Sequence, residues 1–245
     1  MAVAQKLGCV VERIVDHGEH VYTLELRPER AAPRFHAGQF LHLALDPYDP
    51  TGFWPESRVF SIASSPAERD LLRITYAVHG RFTARMETEL REGRRVWIKM
   101  PYGDFLIDSH GDVVLFAGGT GVSAFTAFLE ALPSTSDGRS VVLGYGARMA
   151  TLLIYKDVVD RMAGRVPALD VTYFVESGPI PSPRIGDPAR WLPGRVSVDA
   201  LWPYLARPGE SDFYISGPPS MLTAIAADLR ARDVPQEAIH IDAWE

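Results

Sequence analysis

The sequence predicts two domains of different class: an N-terminal antiparallel β-barrel over residues 1–108 and a C-terminal α/β domain with a parallel sheet over residues 109–245. Three observations predict this. Residues up to about 108 form short apolar-rich runs broken by prolines and glycines, the pattern of a sandwich or barrel. Beyond Asp108-Ser-His-Gly111, such runs alternate with helical stretches, as a parallel sheet requires. Phe116-Ala-Gly-Gly-Thr-Gly-Val-Ser-Ala-Phe125 then reads as a strand, a glycine-rich turn and a helix. A length of 245 residues suits two ordinary domains.

In the first domain, strands are expected at 10–15, 21–26, 40–45, 58–62, 71–78 and 95–100. Several alternate apolar with polar residues, as half-buried strands do. The breaks hold Gly18, Pro28, Pro33, Gly38, Pro47, Pro50, Gly52, Pro55 and Pro66, residues that turn or stiffen the chain. One helix is expected at 83–91, with Thr83 as its N-cap. In the second domain, 113–117 is continuously apolar, the mark of a strand buried on both faces. A helix to about 132, a strand at 140–145, a helix at 151–162 and a strand at 170–175 follow. A Pro-rich loop at 178–193, a short helix near Asp199, a strand at 213–216 and a helix at 218–230 complete the pattern.

Composition narrows the class of protein. Hydrophobic and charged contents of 47% and 23% are those of a soluble globular chain. No apolar run approaches the roughly 18 residues of a membrane span, and the N-terminus lacks a signal-peptide layout, so the cytoplasm is the expected location. Cys9 is the sole cysteine, which excludes an internal disulfide and any cluster held by several thiolates; its apolar surroundings make it a buried structural thiol. A net charge of −6 argues against nucleic acid as a partner. His17 and His20 have no third metal ligand nearby, and no Ser–His–acid order with a nucleophile elbow is present.

Two stretches carry the chemistry. Arg58-Val-Phe-Ser61 sets a cation, an aromatic ring and a hydroxyl along a strand, with Arg58 and Phe60 on one face and Ser61 on the other. The strand–turn–helix at 116–125 offers backbone N–H groups to a phosphate, and Gly119-x-Gly121-x-x-Ala124 fits the dinucleotide pattern. The acidic residue usual about twenty residues further on is missing; Gly144-Tyr-Gly-Ala-Arg148 stands there instead. The first stretch suits a flavin and the second a nicotinamide dinucleotide.

With Phe35-His-Ala-Gly-Gln-Phe40, Gly80-Arg-Phe-Thr83, Pro101-Tyr-Gly-Asp-Phe105 and Ser216-Gly-Pro-Pro-Ser-Met221, the order of motifs resembles the ferredoxin–NADP reductase-like flavoproteins over nearly the whole chain. The resemblance implies a barrel that holds FAD or FMN and an α/β domain that takes NADH or NADPH. By that resemblance Arg58 pairs with the flavin phosphate, Phe60 covers the ring, and Ser61 bonds N5, where hydride arrives. Phe60 replaces the commoner tyrosine and so removes a phenolic hydrogen bond, which loosens flavin retention. Gly80, Phe82 and Thr83 carry over to the flavin phosphate, and Gly119, Thr120 and Gly121 to the dinucleotide, with Thr120 next to nicotinamide and flavin. Gly217 and Pro218 let backbone approach the cofactor closely, and Ser216 stands where many relatives have a cysteine near the nicotinamide. Near the C-terminus Asp242 and Trp244 match an acid and an aromatic that relatives place against the flavin; packing on the barrel is the other reading of Trp244.

Arg148 and Arg184 are candidates for a 2′-phosphate, whereas Glu176 would repel it and accept a ribose 2′-OH, a balance leaning to NADH. Between residues 58 and 99, nine Arg and Lys face five Asp and Glu, a net +4 that either steers an acidic electron carrier or belongs to a solvated mixed-charge face. The implied activity is a flavoprotein reductase passing hydride from NAD(P)H to flavin and electrons to ferredoxin, flavodoxin or an oxygenase component. A flavin reductase releasing free reduced flavin is the first alternative, and an electron-transfer subunit of a larger complex is the second.

Overall fold

The structure is a computed structural model that describes residues 3–134, 138–182, 187 and 189–243. The chain divides into two compact units, Met1–Leu106 and Ile107–Glu245.

The first unit contains β1 (Gln5–Asp16), β2 (Val21–Pro28), β3 (Phe40–Ala44), β4 (Ser57–Ser61), β5 (Leu72–Ala77), α1 (Arg81–Glu89) and β6 (Arg95–Tyr102). Its strands form one antiparallel sheet in the order β4-β3-β6-β1-β2-β5. The edges nearly close on each other: just past β4, the Ala63 N–H donates to the Arg73 carbonyl of β5 at 2.8 Å. Closure of this kind removes the edge that an open sheet would expose. Alternate residues Leu24, Leu26, Leu41, Leu43, Leu72, Ile74, Val96 and Ile98 fill the interior. Cys9 lies among them, and burial pushes its thiol up to about 12, so it stays protonated and inert.

The helix of this unit starts two residues before the expected point. Gly80, at φ 92°, is the N-cap, a backbone conformation that a threonine rarely adopts. Thr83 therefore sits inside the first turn, where its hydroxyl accepts from the His79 N–H at 2.6 Å and donates to the Gly80 carbonyl at 3.3 Å.

The second unit contains β7 (Asp112–Gly118), α2 (Ser123–Ala131), β8 (Val141–Ala147), α3 (Lys156–Ala163), β9 (Leu169–Val175), β10 (Ala189–Pro193), α4 (Val198–Leu201), β11 (Ser211–Ser216), α5 (Pro219–Arg230) and β12 (Ile239–Asp242). The strands are parallel, in the order β10-β9-β8-β7-β11-β12. Every residue of β7 is buried, as expected of a central strand. Two strands were not expected. β10 lies inside the supposed Pro-rich loop, and β12 lies in the C-terminal segment. Both are short edge strands, partly buried, without clean alternation, so periodicity carries little signal there. The helix expected from 151 starts only at Lys156, because Tyr155 takes a left-handed φ of 55° that breaks it from a single turn at Ala150–Leu152. Among the described residues, no helix is long and apolar enough to cross a membrane.

Asp112 anchors the start of the central strand. Its buried carboxylate accepts from Arg207 Nε at 3.0 Å and Nη2 at 2.7 Å, and from the Ser140 N–H at 2.8 Å. The Arg207 hydrogen bonds hold its pKa below the ordinary carboxylate value. Asp112→Ala is expected to lower stability by about 2–3 kcal/mol at neutral pH, since the substitution removes charge-assisted bonds from a buried position. A depressed folded pKa means stabilisation that is complete above the unfolded value and lost as pH falls through the folded one. Urea unfolding should therefore show the gap between wild type and variant narrowing below about pH 4. A gap unchanged at low pH would contradict this account.

Candidate functional site

The chemistry-bearing residues form two clusters, one in each unit. In the first unit, β4 pairs with β3 so that Ser61 opposes Phe40, Phe60 opposes Leu41 and Arg58 opposes Leu43. Opposed residues share a face. Arg58 and Phe60 thus lie on the face of the buried leucines, and Ser61 on the other, the parity expected from the strand period. Phe60 packs against the barrel core, its ring edge-on to Tyr76 at 6.3 Å.

Arg58 stays exposed, with its guanidinium over the Phe82 ring at 5.1 Å. It donates to the Ser57 carbonyl at 2.8 Å and to the Glu56 carboxylate at 3.1 Å; Arg81 reaches the same Glu56 oxygen at 3.5 Å. The fold thereby brings Arg58 to the first turn of α1. That turn has no side-chain cap, and a Cβ built on Gly80 meets nothing within 4 Å. Two guanidinium groups beside an open helix N-terminus form an anion cradle, with Glu56 as its internal counter-ion. A flavin phosphate fits this chemistry.

On the Ser61 face, Phe40 stacks on Tyr102 at 5.7 Å and His42 meets Tyr102 edge-on at 4.9 Å. Burial and then Lys99 push the His42 pKa down, so the ring is neutral at pH 7. The motif reading passed over this aromatic surface, although Phe40 and His42 flank the buried Leu41 at strand spacing. Two quoted motifs also meet here. Gly38, at φ 91°, lies under the Phe105 carbonyl, which a Cβ would approach to 2.1 Å, and Gln39 Nε2 donates to the Gly103 carbonyl at 3.1 Å.

In the second unit the chain order of strands reverses between β7 and β11. In open α/β sheets, ligands bind in the crevice at the carboxyl ends of the strands where such a reversal occurs. The glycine-rich turn lies there as a tight turn, Gly119–Val122, ahead of α2. Gly119 takes φ 54°, and the carbonyl of the half-buried Thr120 accepts the Ser123 hydroxyl at 2.8 Å. A Cβ on Gly121 would stand 2.3 Å from the Ser216 carbonyl oxygen, and one on Gly118 would stand 2.5 Å from Met221 Sδ. The turn is thus packed directly onto Ser216 and Gly217. Pro218 is the N-cap of α5, with Pro219 opening the helix.

Ser216 differs from expectation in its surroundings. It is buried, and its hydroxyl donates to the equally buried Asp242 of β12 at 2.8 Å. The acid expected against the flavin is therefore held inside the sheet, beside Ser216. Trp244 and Arg184 lie outside the described residues.

Arg148 and Glu176 follow the ends of neighbouring strands β8 and β9. The Ser177 N–H donates to the Arg148 carbonyl at 2.8 Å, which holds the two segments together. The Glu176 carboxylate accepts from Arg195 Nε at 3.0 Å. Arg195 was not among the sequence candidates, because its approach depends on the unforeseen strand β10.

The basic segment does not persist as an open patch. Arg85 pairs with Asp46 at 2.9 Å and Glu89 at 2.8 Å, Arg94 with Glu89 at 3.1 Å and Arg95 with Glu29 at 2.8 Å. Acids outside the counted segment (Glu29, Asp46 and Glu56) offset three of its four excess positive charges, which favours a solvated mixed face. His17 bonds Thr23 at 2.9 Å and His20 bonds Glu87 at 2.7 Å; among the described residues no group of three or more His, Cys, Asp or Glu is placed to hold a metal.

Residues 115–227 match the family model "Oxidoreductase NAD-binding domain". The chain is 30% identical over 226 residues to the reductase component DmpP of phenol 2-monooxygenase from Pseudomonas sp. (strain CF600), covering 90% of this chain and 60% of that protein. The chain thus spans about 60% of the length of that curated relative. Among solved structures, the Amycolatopsis cytochrome P450 reductase GcoB superposes with a TM-score of 0.83 at 22% identity, over 99% of this chain and 70% of that one. A ferredoxin NADP+ reductase from Neisseria gonorrhoeae, with bound FAD and NADP, superposes with a TM-score of 0.75 at 18% identity, over 98% of each chain.

Proposed function

Because the chain belongs to the ferredoxin–NADP reductase-like oxidoreductases, we propose that it moves hydride from NADH to a bound FAD and passes the electrons to an oxygenase component. The observation that carries this reading is the convergence of Arg58 on the open first turn of α1, 5.1 Å from the Phe82 ring, which makes an anion site beside Phe60 and Ser61. The relatives named as monooxygenase and cytochrome P450 reductases support the choice of acceptor. Bound flavin supplies a ring that accepts hydride and releases electrons singly.

The chain's own residues hold and orient. Arg58 binds the phosphate with forked donors, and Gly80, Phe82 and Thr83 shape the helix turn behind it. Phe60 packs against the flavin, and Ser61 bonds it from the aromatic face of the barrel. Gly119, Thr120 and Gly121 admit the dinucleotide pyrophosphate, while Gly217 and Pro218 let the backbone come close to the nicotinamide end. Ser216, tied to Asp242, fixes the strand end on which that approach depends.

Glu176 selects NADH. Its carboxylate accepts from a ribose 2′-OH and repels a 2′-phosphate, and Arg195 keeps it in place. Anaerobic addition of NADH should bleach the yellow purified protein faster than NADPH does. Glu176→Ser should shift the NADPH/NADH ratio of kcat/KM upward about tenfold, a change of roughly 1.4 kcal/mol, because Arg148 and Arg195 then face the phosphate alone. A ratio that does not move would remove Glu176 from the adenosine site. A protein that binds flavin yet is bleached by neither nucleotide would end the reductase reading.

The flavin reductase that releases its product stays as a second reading, on two observations. Phe60 lacks a phenolic hydroxyl, and Glu56 competes for Arg58, so the cradle has less hold on its ligand. A colourless protein that oxidises NADH with saturation in added flavin would bring that reading forward.

A further inference from the structure

The motif Ser216-Gly-Pro-Pro-Ser-Met221 ends on a residue to which the dinucleotide reading gives no task. Met221 lies in the first turn of α5, where its N–H donates to the Pro218 carbonyl at 2.9 Å. Helix side chains tilt toward the N-terminus, so its thioether reaches back over the ends of β7 and β11. A Cβ built on Gly118 would stand 2.5 Å from Met221 Sδ, and one built on Gly217 would stand 3.1 Å from the same atom. One sulfur therefore touches both glycines, at the point where the strand order reverses. Met221 also packs against the buried cluster that includes Phe116 and Ile215.

Exposure separates this sulfur from most of the others. The chain has six methionines. Met86, Met100 and Met162 are buried, and Met1 lies outside the described residues. Met149 and Met221 are half-buried, and both stand at the carboxyl ends of the parallel strands. Met149 directly follows Arg148 past β8, and Met221 faces the reversal between β7 and β11. Among the described residues, the sulfurs open to a dissolved oxidant are thus the two beside the nucleotide site.

We infer that Met221 is an oxidation site through which a hydroperoxide lowers the affinity of the chain for NAD(P)H. The inference rests on the dinucleotide reading above. The sulfur loses two electrons to hydrogen peroxide: an S–O bond forms, the O–O bond breaks, and the second oxygen leaves as water with both peroxide protons. Hydrogen peroxide forms wherever a reduced flavin gives its electrons to dioxygen instead of to the acceptor, so uncoupled turnover supplies the oxidant. The sulfoxide is larger and more polar than the thioether, in a space that exists because two residues lack a Cβ. Kept there, it sets a dipole against the apolar cluster; moved out, it uncovers the junction of Gly118 and Gly217. Either way the turn Gly119–Val122 loses its support, and affinity for the dinucleotide should fall about tenfold.

The test is binding of tetrahydro-NADH, an analogue that donates no hydride, to the full chain before and after hydrogen peroxide treatment. Sulfoxide at each methionine is read by mass spectrometry of the peptides. In wild type, conversion of Met221 should weaken binding about tenfold, methionine sulfoxide reductases should restore it, and analogue present during treatment should shield Met221. Met221→Leu, a volume-conserving change, should hold its own untreated affinity within twofold through the same treatment. A Met221 left intact by peroxide that converts free methionine overturns the inference. So does a fully converted Met221 with an affinity within twofold of the untreated protein. An equal loss in Met221→Leu overturns it too, and moves the effect to another side chain. An untreated protein that does not bind the analogue would instead sink the dinucleotide reading, a result distinct from an affinity that peroxide leaves unchanged.

Discussion

Gly121→Ala should unfold the second unit more readily and cost the protein its grip on NAD(P)H. The added Cβ would lie 2.3 Å from the Ser216 carbonyl oxygen, 2.5 Å from its carbon and 2.7 Å from the Gly217 nitrogen. All three are backbone atoms, anchored by the pairing of β11 with β7 and β12, so no flexible side chain can move aside. Overpacking of this kind costs about 3 kcal/mol. The relaxation that relieves it pushes the glycine-rich turn away from the strand reversal, so KM for NAD(P)H should rise at least about tenfold. Gly119→Ala is the internal control. Nothing lies within 4 Å of its added Cβ, and its φ of 54° is the only obstacle. That variant should lose about 1 kcal/mol. Chemical denaturation with steady-state kinetics on both variants tests the contrast, and equal losses would mean that the close packing of Gly121 is not what the motif requires.

Arg58→Ala should leave a folded protein that does not keep its flavin. The side chain is exposed and meets the core only by lying over the outer side of the Phe82 ring, so the thermal midpoint of the flavin-free protein should hold within a few degrees. Its forked donors beside the α1 turn supply the charge-assisted bonds to phosphate, worth about 2–3 kcal/mol. Flavin affinity should therefore fall about a hundredfold, read as the ratio of visible to protein absorbance after purification and as a binding constant. Arg58→Lys should recover only part of the loss, because a point charge cannot reproduce the planar fork. Full flavin occupancy in Arg58→Ala would move the phosphate elsewhere.

Much of the fold and part of the site were legible in the sequence, for identifiable reasons. The barrel strands announce themselves by residues such as Leu24, Leu26, Leu41 and Leu43, spaced two apart and facing one interior. β7 announces itself by being apolar throughout, since both of its faces are covered. The parity of Arg58, Phe60 and Ser61 followed from the strand period alone. The edge strands β10 and β12 were not legible, because their half-buried residues satisfy no clean period. Nor was the true N-cap of α1: threonine is the commoner capping residue, and only the backbone shows that Gly80 takes the conformation the cap needs.

By itself, the sequence determined the class of each domain, the order of the motifs and which residues carry charge, hydroxyl or ring. Those properties are local, set by side-chain chemistry and by periods of two and 3.6 residues. Tertiary structure alone decided which of these residues meet. It set Arg58 above Phe82 and beside Arg81, gave Glu56 to both arginines, turned Ser216 toward Asp242 and brought Arg195 to Glu176. Partners as distant as Ser216 and Asp242 are joined by strand pairing and loop closure, whose free energies are summed over the whole chain, so no short window of sequence contains them.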